Sequence, residues 1–229
     1  MNYVGSNDHE HLRAEPDTDL VQFLDPKDAS QLIHSIHRLA RNGGKLVEFI
    51  GPRGGEGVSS IARDFALLMT RRSNRPVLLL DLDIPINGHF RWFTAHATLA
   101  PAATTVSIPR GELRLHRLGA MPMVVSELAL DSDGGEPQTD LLAESHVLDQ
   151  LREAFSLIVV DAPPLARSYD GVAFSAAADA TVMVVEAEQT RAPVALDLSE
   201  KLTDAGARLV GFVFNKRRYY IPENLYRRL

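Results

Sequence analysis

Residues 51–60 read Gly-Pro-Arg-Gly-Gly-Glu-Gly-Val-Ser-Ser, between an apolar hexamer and a helical pattern. A glycine-rich turn that opens a helix is a ready anion cradle. The unpaired amides at the helix start and the helix dipole both favour phosphate. Glycine lets the backbone approach closely and adopt conformations closed to residues with a Cβ, and Gly55 and Gly57 fit that need. Ser59 stands where such a loop places the hydroxyl that ligates Mg2+. The full motif is G-x-x-x-x-G-K-[ST], whereas this chain has Pro52 for the first glycine and Val58 for the lysine. One cation about 4 Å from a phosphate oxygen contributes roughly 4 kcal/mol at an effective dielectric near 20, and Val58 supplies none of it. Arg53 is the nearest substitute in the loop; the competing explanation for it is a solvated arginine. A glycine loop alone is a weak signal, since a turn that only packs a helix on a strand looks the same.

Carboxylates supply the second signal. Asp81 and Asp83 end one apolar run and Asp161 ends another. Carboxylates so placed can hold Mg2+ and orient an attacking hydroxyl. A single acid at a strand end is usually a turn or cap residue, but three beside a glycine loop are harder to dismiss.

A sheet is needed to bring these groups together. Residues 45–50, 76–81, 155–161, 180–186 and 208–215 are short apolar runs of buried-strand type, and 113–118 is a further strand candidate. Helical spacing covers residues 28–41, 59–72, 140–154 and 193–205. Between residues 84 and 150 the pattern is otherwise weak. Alternating strands and helices predict an α/β fold with a mostly parallel central sheet covered by helices on both faces. Ligands of such sheets bind beyond the carboxyl ends of the strands. The glycine loop, Asp81, Asp161 and Asn215 all fall at that edge.

At 229 residues the chain accommodates one large domain. Residues 1–26 are polar and are expected to form a disordered tail, leaving 27–229 as a single domain ending in a tyrosine-containing tail over 216–229. There is no cysteine, which excludes disulfides and thiolate chemistry. A net charge of −6 argues against bulk nucleic-acid binding. The N-terminal residues lack a secretory pattern and no apolar stretch is long enough to span a bilayer, so the expected location is cytoplasmic. His34 and His37 lie one helical turn apart, but nothing in the sequence adds further ligands to them.

The whole pattern over residues 28–229 resembles the bacterial tyrosine kinases. These are P-loop proteins of capsule and exopolysaccharide synthesis, related to the cell-division and chromosome-partitioning ATPases. The family's loop is like P-G-E-G-K-S-T, and here it is Gly54-Gly-Glu-Gly-Val-Ser-Ser60. Its L-L-I-D-A-D-L-R segment is matched by Leu78-Leu-Leu-Asp-Leu-Asp-Ile-Pro85. Its Y-D-Y-V-I-I-D-T-P-P segment is matched by Phe155-Ser-Leu-Ile-Val-Val-Asp-Ala-Pro-Pro164. Pro137-Gln-Thr-Asp-Leu-Leu142 is similar to N-P-S-E-L-L, and Gly211-Phe-Val-Phe-Asn215 to G-V-V-L-N, whose asparagine contacts the base.

The resemblance implies a P-loop NTPase-like fold. It implies catalytic roles for Asp81, Asp83 and Asp161. It implies nucleotide contacts from Arg53, Gly54, Gly55, Glu56, Gly57, Val58, Ser59, Ser60 and Asn215. Ser59, Asp81 and Asp161 would hold Mg2+, and ATP or ADP would be the ligand. Tyr219, Tyr220 and Tyr226 correspond to the C-terminal tyrosines that the family autophosphorylates; ordinary packing is the competing explanation. The departures fall on chemistry. Val58 replaces the lysine and Pro85 the arginine after the paired acids. Asp28, Gln31 and His34 occupy the positions of the family's E-x-x-R-x-x-R oligomerisation helix.

The expected function is therefore a pseudokinase-like regulatory partner of a membrane polysaccharide co-polymerase. It would meet the inner membrane only through that partner's cytoplasmic segment, with homo-oligomerisation left open and no nucleic-acid partner. Two alternatives remain at this level: an active tyrosine autokinase or ATPase, and a positioning ATPase of the division or partitioning type.

Overall fold

The structure is a computed structural model that describes residue 24 and residues 26–37, 45–83, 86–100, 104–108, 111–130 and 146–217. Eight strands form one sheet: β1 (Lys45–Ile50), β2 (Val77–Asp81), β3 (Thr104–Ile108), β4 (Gly111–Arg117), β5 (Met123–Leu130), β6 (Leu157–Asp161), β7 (Ala180–Glu186) and β8 (Leu209–Asn215). Their order across the sheet is β3-β4-β5-β2-β6-β1-β7-β8. From β5 to β8 every neighbouring pair is parallel. β3, β4 and β5 form an antiparallel meander at one edge.

The central strands are covered on both faces, which is why they read as unbroken apolar runs rather than alternating ones. On one face Val47, Phe49, Leu79, Val159 and Val182 meet α2 (Val58–Thr70) through Ile61 and Phe65. The same core takes Ile33 and Ile36 of α1 (Pro26–His37) and Phe93 of α3 (Gly88–His96). On the other face Leu46, Leu78, Leu80, Ile158 and Val160 meet α4 (His146–Ala154) through Val147, Leu148 and Leu151. Phe174 of the short α5 (Asp170–Phe174) joins that core. Ile50, Met183 and Val185 pack on Leu198 and Leu202 of α6 (Ala192–Asp204). The expected sheet with helices on both faces is the one observed.

The weakly patterned stretch after Asp81 holds α3, β3, β4 and β5. The strand expected at 113–118 is β4, two residues earlier at its start. The helix expected over 140–154 is observed from His146; residues 131–145, with the Pro137–Leu142 segment, lie outside the described residues. The tail expected over 1–26 also lies outside them, apart from Leu24 and Pro26. Leu24 is buried and its N–H donates to Asp64 Oδ2 at 3.0 Å, so packing reaches back into that stretch.

Parallel register brings the strand ends into line. Asp81 pairs with Asp161 across β2 and β6, Phe49 pairs with Asp161 across β1 and β6, and Glu186 pairs with Asn215 across β7 and β8. The loop after β1 therefore leaves the sheet beside both acids.

Candidate nucleotide and metal site

The loop from Gly51 to Gly57 is shaped by its glycines. Gly54, Gly55 and Gly57 have φ of 96°, 90° and 88°, a region that strains residues with a Cβ. Gly57 precedes α2, and a Cβ on it would stand 2.3 Å from Asn215 Nδ2. No side chain caps α2, whose first N–H groups have no acceptor within the helix. Those amides open onto a cleft of about 370 Å³ lined in part by Gly54, Gly55, Gly57, Ser59, Ser60, Asp81, Asp83 and Asp161. The amides, the dipole and the hydroxyls of Ser59 and Ser60 form a site for an anion.

Val58 is buried, and its Cγ2 sits where a Cβ on Gly51 would meet it at 2.8 Å. It starts the helix as a packing residue. Glu56 is also buried, and its carboxylate accepts from the N–H of Arg53 (3.0 Å) and of Gly54 (2.7 Å). This side chain braces the loop from within and occupies two of its amides. Asn215, expected at the base, donates from Nδ2 to the Glu56 carbonyl at 2.8 Å. Lys216 follows with φ of 56° and donates to the Gly55 carbonyl (2.6 Å) and Glu186 (3.1 Å). The end of β8 thus clasps the loop.

Arg53 is exposed and is absent from the residues lining the cleft. The arginine that does line it is Arg167, six residues past Asp161, where it pairs with Asp83. Sequence reading passed over Arg167 because nothing in its neighbourhood marks it as facing the loop.

The acids converge as expected. Asp81 is buried at the end of β2, with Oδ1 accepting from the Asp83 N–H (2.9 Å) and Oδ2 from the His89 N–H (3.1 Å). Ser126 Oγ accepts from the Asp81 N–H at 2.9 Å. Burial raises the Asp81 carboxyl above its usual range; the His89 charge opposes this and the Asp161 carboxylate adds to it. Asp83 is also raised, mainly by burial, against the opposing Arg167 guanidinium.

His89 was not anticipated. It is the second residue of α3, and its Nε2 lies 2.9 Å from Asp161 Oδ2 with both side chains almost wholly buried. Its position is fixed from two sides. Asn87, the residue before α3, exchanges hydrogen bonds with the Leu128 backbone of β5 at 3.0 and 3.1 Å. Farther along the helix, Phe93 enters the core and Trp92 lies 3.9 Å beneath the Arg63 guanidinium. The only sequence signal for His89 is its place eight residues after Asp81 (a spacing with no periodic meaning).

Asp161 Oδ1 is buried and makes no hydrogen bond among the described residues. An orphaned carboxylate oxygen on a cleft that also holds Asp81 and Ser59 fits a divalent cation. Pro85, Tyr219, Tyr220 and Tyr226 lie outside the described residues.

No protein-family model matches the chain. It is 29% identical over 186 residues to the succinoglycan biosynthesis transport protein ExoP of Rhizobium meliloti, covering 78% of this chain and only 23% of that protein. It is 23% identical over 176 residues to the tyrosine-protein kinase CpsD of Streptococcus agalactiae, covering 75% of each. Its fold is that of the kinase domain of the Escherichia coli tyrosine kinase ETK, with a TM-score of 0.66, 18% identity, and coverage of 86% of this chain and 78% of that one. The resemblance to bacterial tyrosine kinases, read from the motifs, is what these comparisons return.

Proposed function

We propose that this chain is a tyrosine-kinase-like P-loop subunit of exopolysaccharide or capsule synthesis and export, which binds ATP or ADP and turns it over poorly or not at all. The observation that carries the reading is Val58, packed against Gly51 where the cleft offers a free helix start and strand-end acids but no lysine. The glycines, the free helix start and the strand-end acids support binding. The missing lysine removes a charge that would stabilise transferred phosphate, a contribution on the order of 10³–10⁵ in rate for comparable cations. Mg2+ bound with nucleotide would be held by Ser59, Asp81 and Asp161, and would offset negative charge on the phosphates.

The relatives named for succinoglycan transport and tyrosine kinase activity support the pathway class. In this reading the partner is the cytoplasmic segment of a membrane polysaccharide co-polymerase, and the chain meets the inner membrane through it. Among the described residues no helix is long and apolar enough to cross a membrane.

Calorimetric titration with ATP and ADP, with and without Mg2+, tests the reading alongside a phosphate-release assay. Saturable binding with phosphate release at background supports it, and robust turnover by the isolated chain rejects it. A second reading, an active autokinase, has one observation in its favour: Arg167 lines the cleft and could turn from Asp83 to a phosphate. It expects phosphate on Tyr219, Tyr220 or Tyr226 after incubation with Mg-ATP. An unmodified tail by mass spectrometry, even with the co-polymerase present, counts against it.

A further inference from the structure

Asp81, His89 and Asp161 reach one point from three elements: the end of β2, the start of α3 and the end of β6. One ligand atom from each lies within 4.8 Å of the other two. All three residues are at most 3% exposed. Asp161 has its Oδ2 on the imidazole and its Oδ1 without a hydrogen-bond partner among the described residues. Leaving a buried carboxylate oxygen unpaired is costly, and a bound cation is one remedy, available here because a second carboxylate and an imidazole stand beside it. Asp81 and Asp161 also line the open cleft, so an ion has an entry path and room for water ligands.

We propose that Asp81, His89 and Asp161 form a direct-contact site for a divalent transition metal of the Zn2+ class, filled without nucleotide. The donor set selects the ion. Mg2+ favours oxygen ligands in near-ideal octahedral geometry and keeps most of its water, whereas imidazole suits Zn2+ and its neighbours in the transition series. The spacing is close to that of direct ligation. Two tetrahedral ligands about 2.1 Å from a metal stand about 3.4 Å apart, so the His89 Nε2–Asp161 Oδ2 hydrogen bond of 2.9 Å must open by only about half an ångström to admit the ion. Entry of the ion displaces the proton shared by that pair and gives Nε2 and the carboxylates to the metal. Asn87 and the Asp81–His89 backbone bond hold the imidazole in place before the ion arrives. The site needs no phosphate, but it shares Asp81 and Asp161 with the Mg2+ of the nucleotide reading, so the ions are titrated without nucleotide to keep the two readings apart.

The test uses the full chain stripped with EDTA and then titrated with Co2+, Zn2+ and Mg2+ by calorimetry, with Co2+ also followed by visible absorption. One equivalent of Co2+ or Zn2+ is expected to bind at least about tenfold more tightly than Mg2+. His89→Gln keeps an amide near the Nε2 position and is a poor metal ligand. It is expected to lose at least about tenfold in Co2+ affinity and the Co2+ absorption bands, with an unchanged melting curve. His34→Ala, an exposed histidine on α1, is the control and should bind as the parent does. Co2+ binding no tighter than Mg2+, or equal Co2+ affinity in the parent and His89→Gln, overturns the site. If His89→Gln melts early, Asp161→Asn is measured in its place, with the same loss expected and the same equality fatal.

Discussion

Val58 and Glu56 carry opposite messages about the same loop. Val58 removes a cation from the cradle and turns its position into a packing contact beneath Gly51. A lysine there could run its stem along the same surface and place its ammonium in the cleft. Val58→Lys is therefore expected to tighten ATP binding by at least about tenfold, a conservative share of the roughly 4 kcal/mol available to a close ion pair. Calorimetry reads it, and unchanged affinity would mean that phosphate does not sit on this loop. Glu56 instead holds the loop shut on itself through the Arg53 and Gly54 amides. Glu56→Ala should cost about 2–3 kcal/mol in urea denaturation, because charge-assisted bonds to two amides are lost. A loss below about 0.5 kcal/mol would show that the brace is unimportant. The glycines were legible because their chemistry is local. His89 was not, because its partner Asp161 is 72 residues away and no periodicity marks a single inward histidine.

Elements converge on the loop from two directions, and Gly57 is where they meet. It turns the chain from loop into α2 with a positive φ, and Asn215 at the end of β8 leaves no room for a side chain on it. Gly57→Ala combines backbone strain with a collision and is expected to destabilise by about 2–4 kcal/mol. The two components separate in a double-mutant cycle with Asn215→Ala. Shortening Asn215 removes the collision, at the expense of its bond to the Glu56 carbonyl, and leaves the strain. The double variant should therefore be less unstable than the sum of the singles by about 1 kcal/mol or more; strict additivity would deny the contact. At this scale the sequence was informative where strands are apolar throughout. β1, β2, β6 and β7 are buried on both faces, β8 is an exposed edge strand with the same apolar run, and the ends of these five predicted the sheet edge that carries Asp81, Asp161 and Asn215. The meander of β3, β4 and β5 was mostly hidden. β4 was the exception, because Leu113 and Leu115 alternate with Glu112, Arg114 and His116, whereas the short β3 is largely exposed and Ser126 and Glu127 break the apolar run of β5. α3 was hidden for a related reason: only His89 and Phe93 along its length are buried, too few to show a helical stripe.

The molecule as a whole carries a charge-bearing group at its centre. Glu48 lies in the middle of β1, flanked by β6 and β7, and is wholly buried. Thr181 Oγ1 donates to its Oε2 at 3.1 Å, while Oε1 has no partner among the described residues. Burial pushes the carboxyl up from 4.5 to about 8, against the smaller opposing effect of the Thr181 bond. The folded protein therefore holds this proton more tightly than the unfolded chain does. Its stabilising contribution is complete below about pH 4.5, declines as pH rises, and is lost once pH passes about 8. The expected loss across that window is on the order of a few kcal/mol. Two other acids raised by burial, the buried Asp81 and the half-buried Asp83, push in the same direction near the cleft, so the parent's slope alone does not assign the effect. Glu48→Gln does. It keeps the shape, accepts from Thr181 through its amide oxygen and carries no proton to lose. Urea unfolding of parent and variant across pH 5–9 should show curves that diverge as pH rises, with the variant more stable at the alkaline end. Parallel curves would mean that Glu48 is ionised in the folded protein, and that the sheet holds a charge at its centre by contacts this fold does not display.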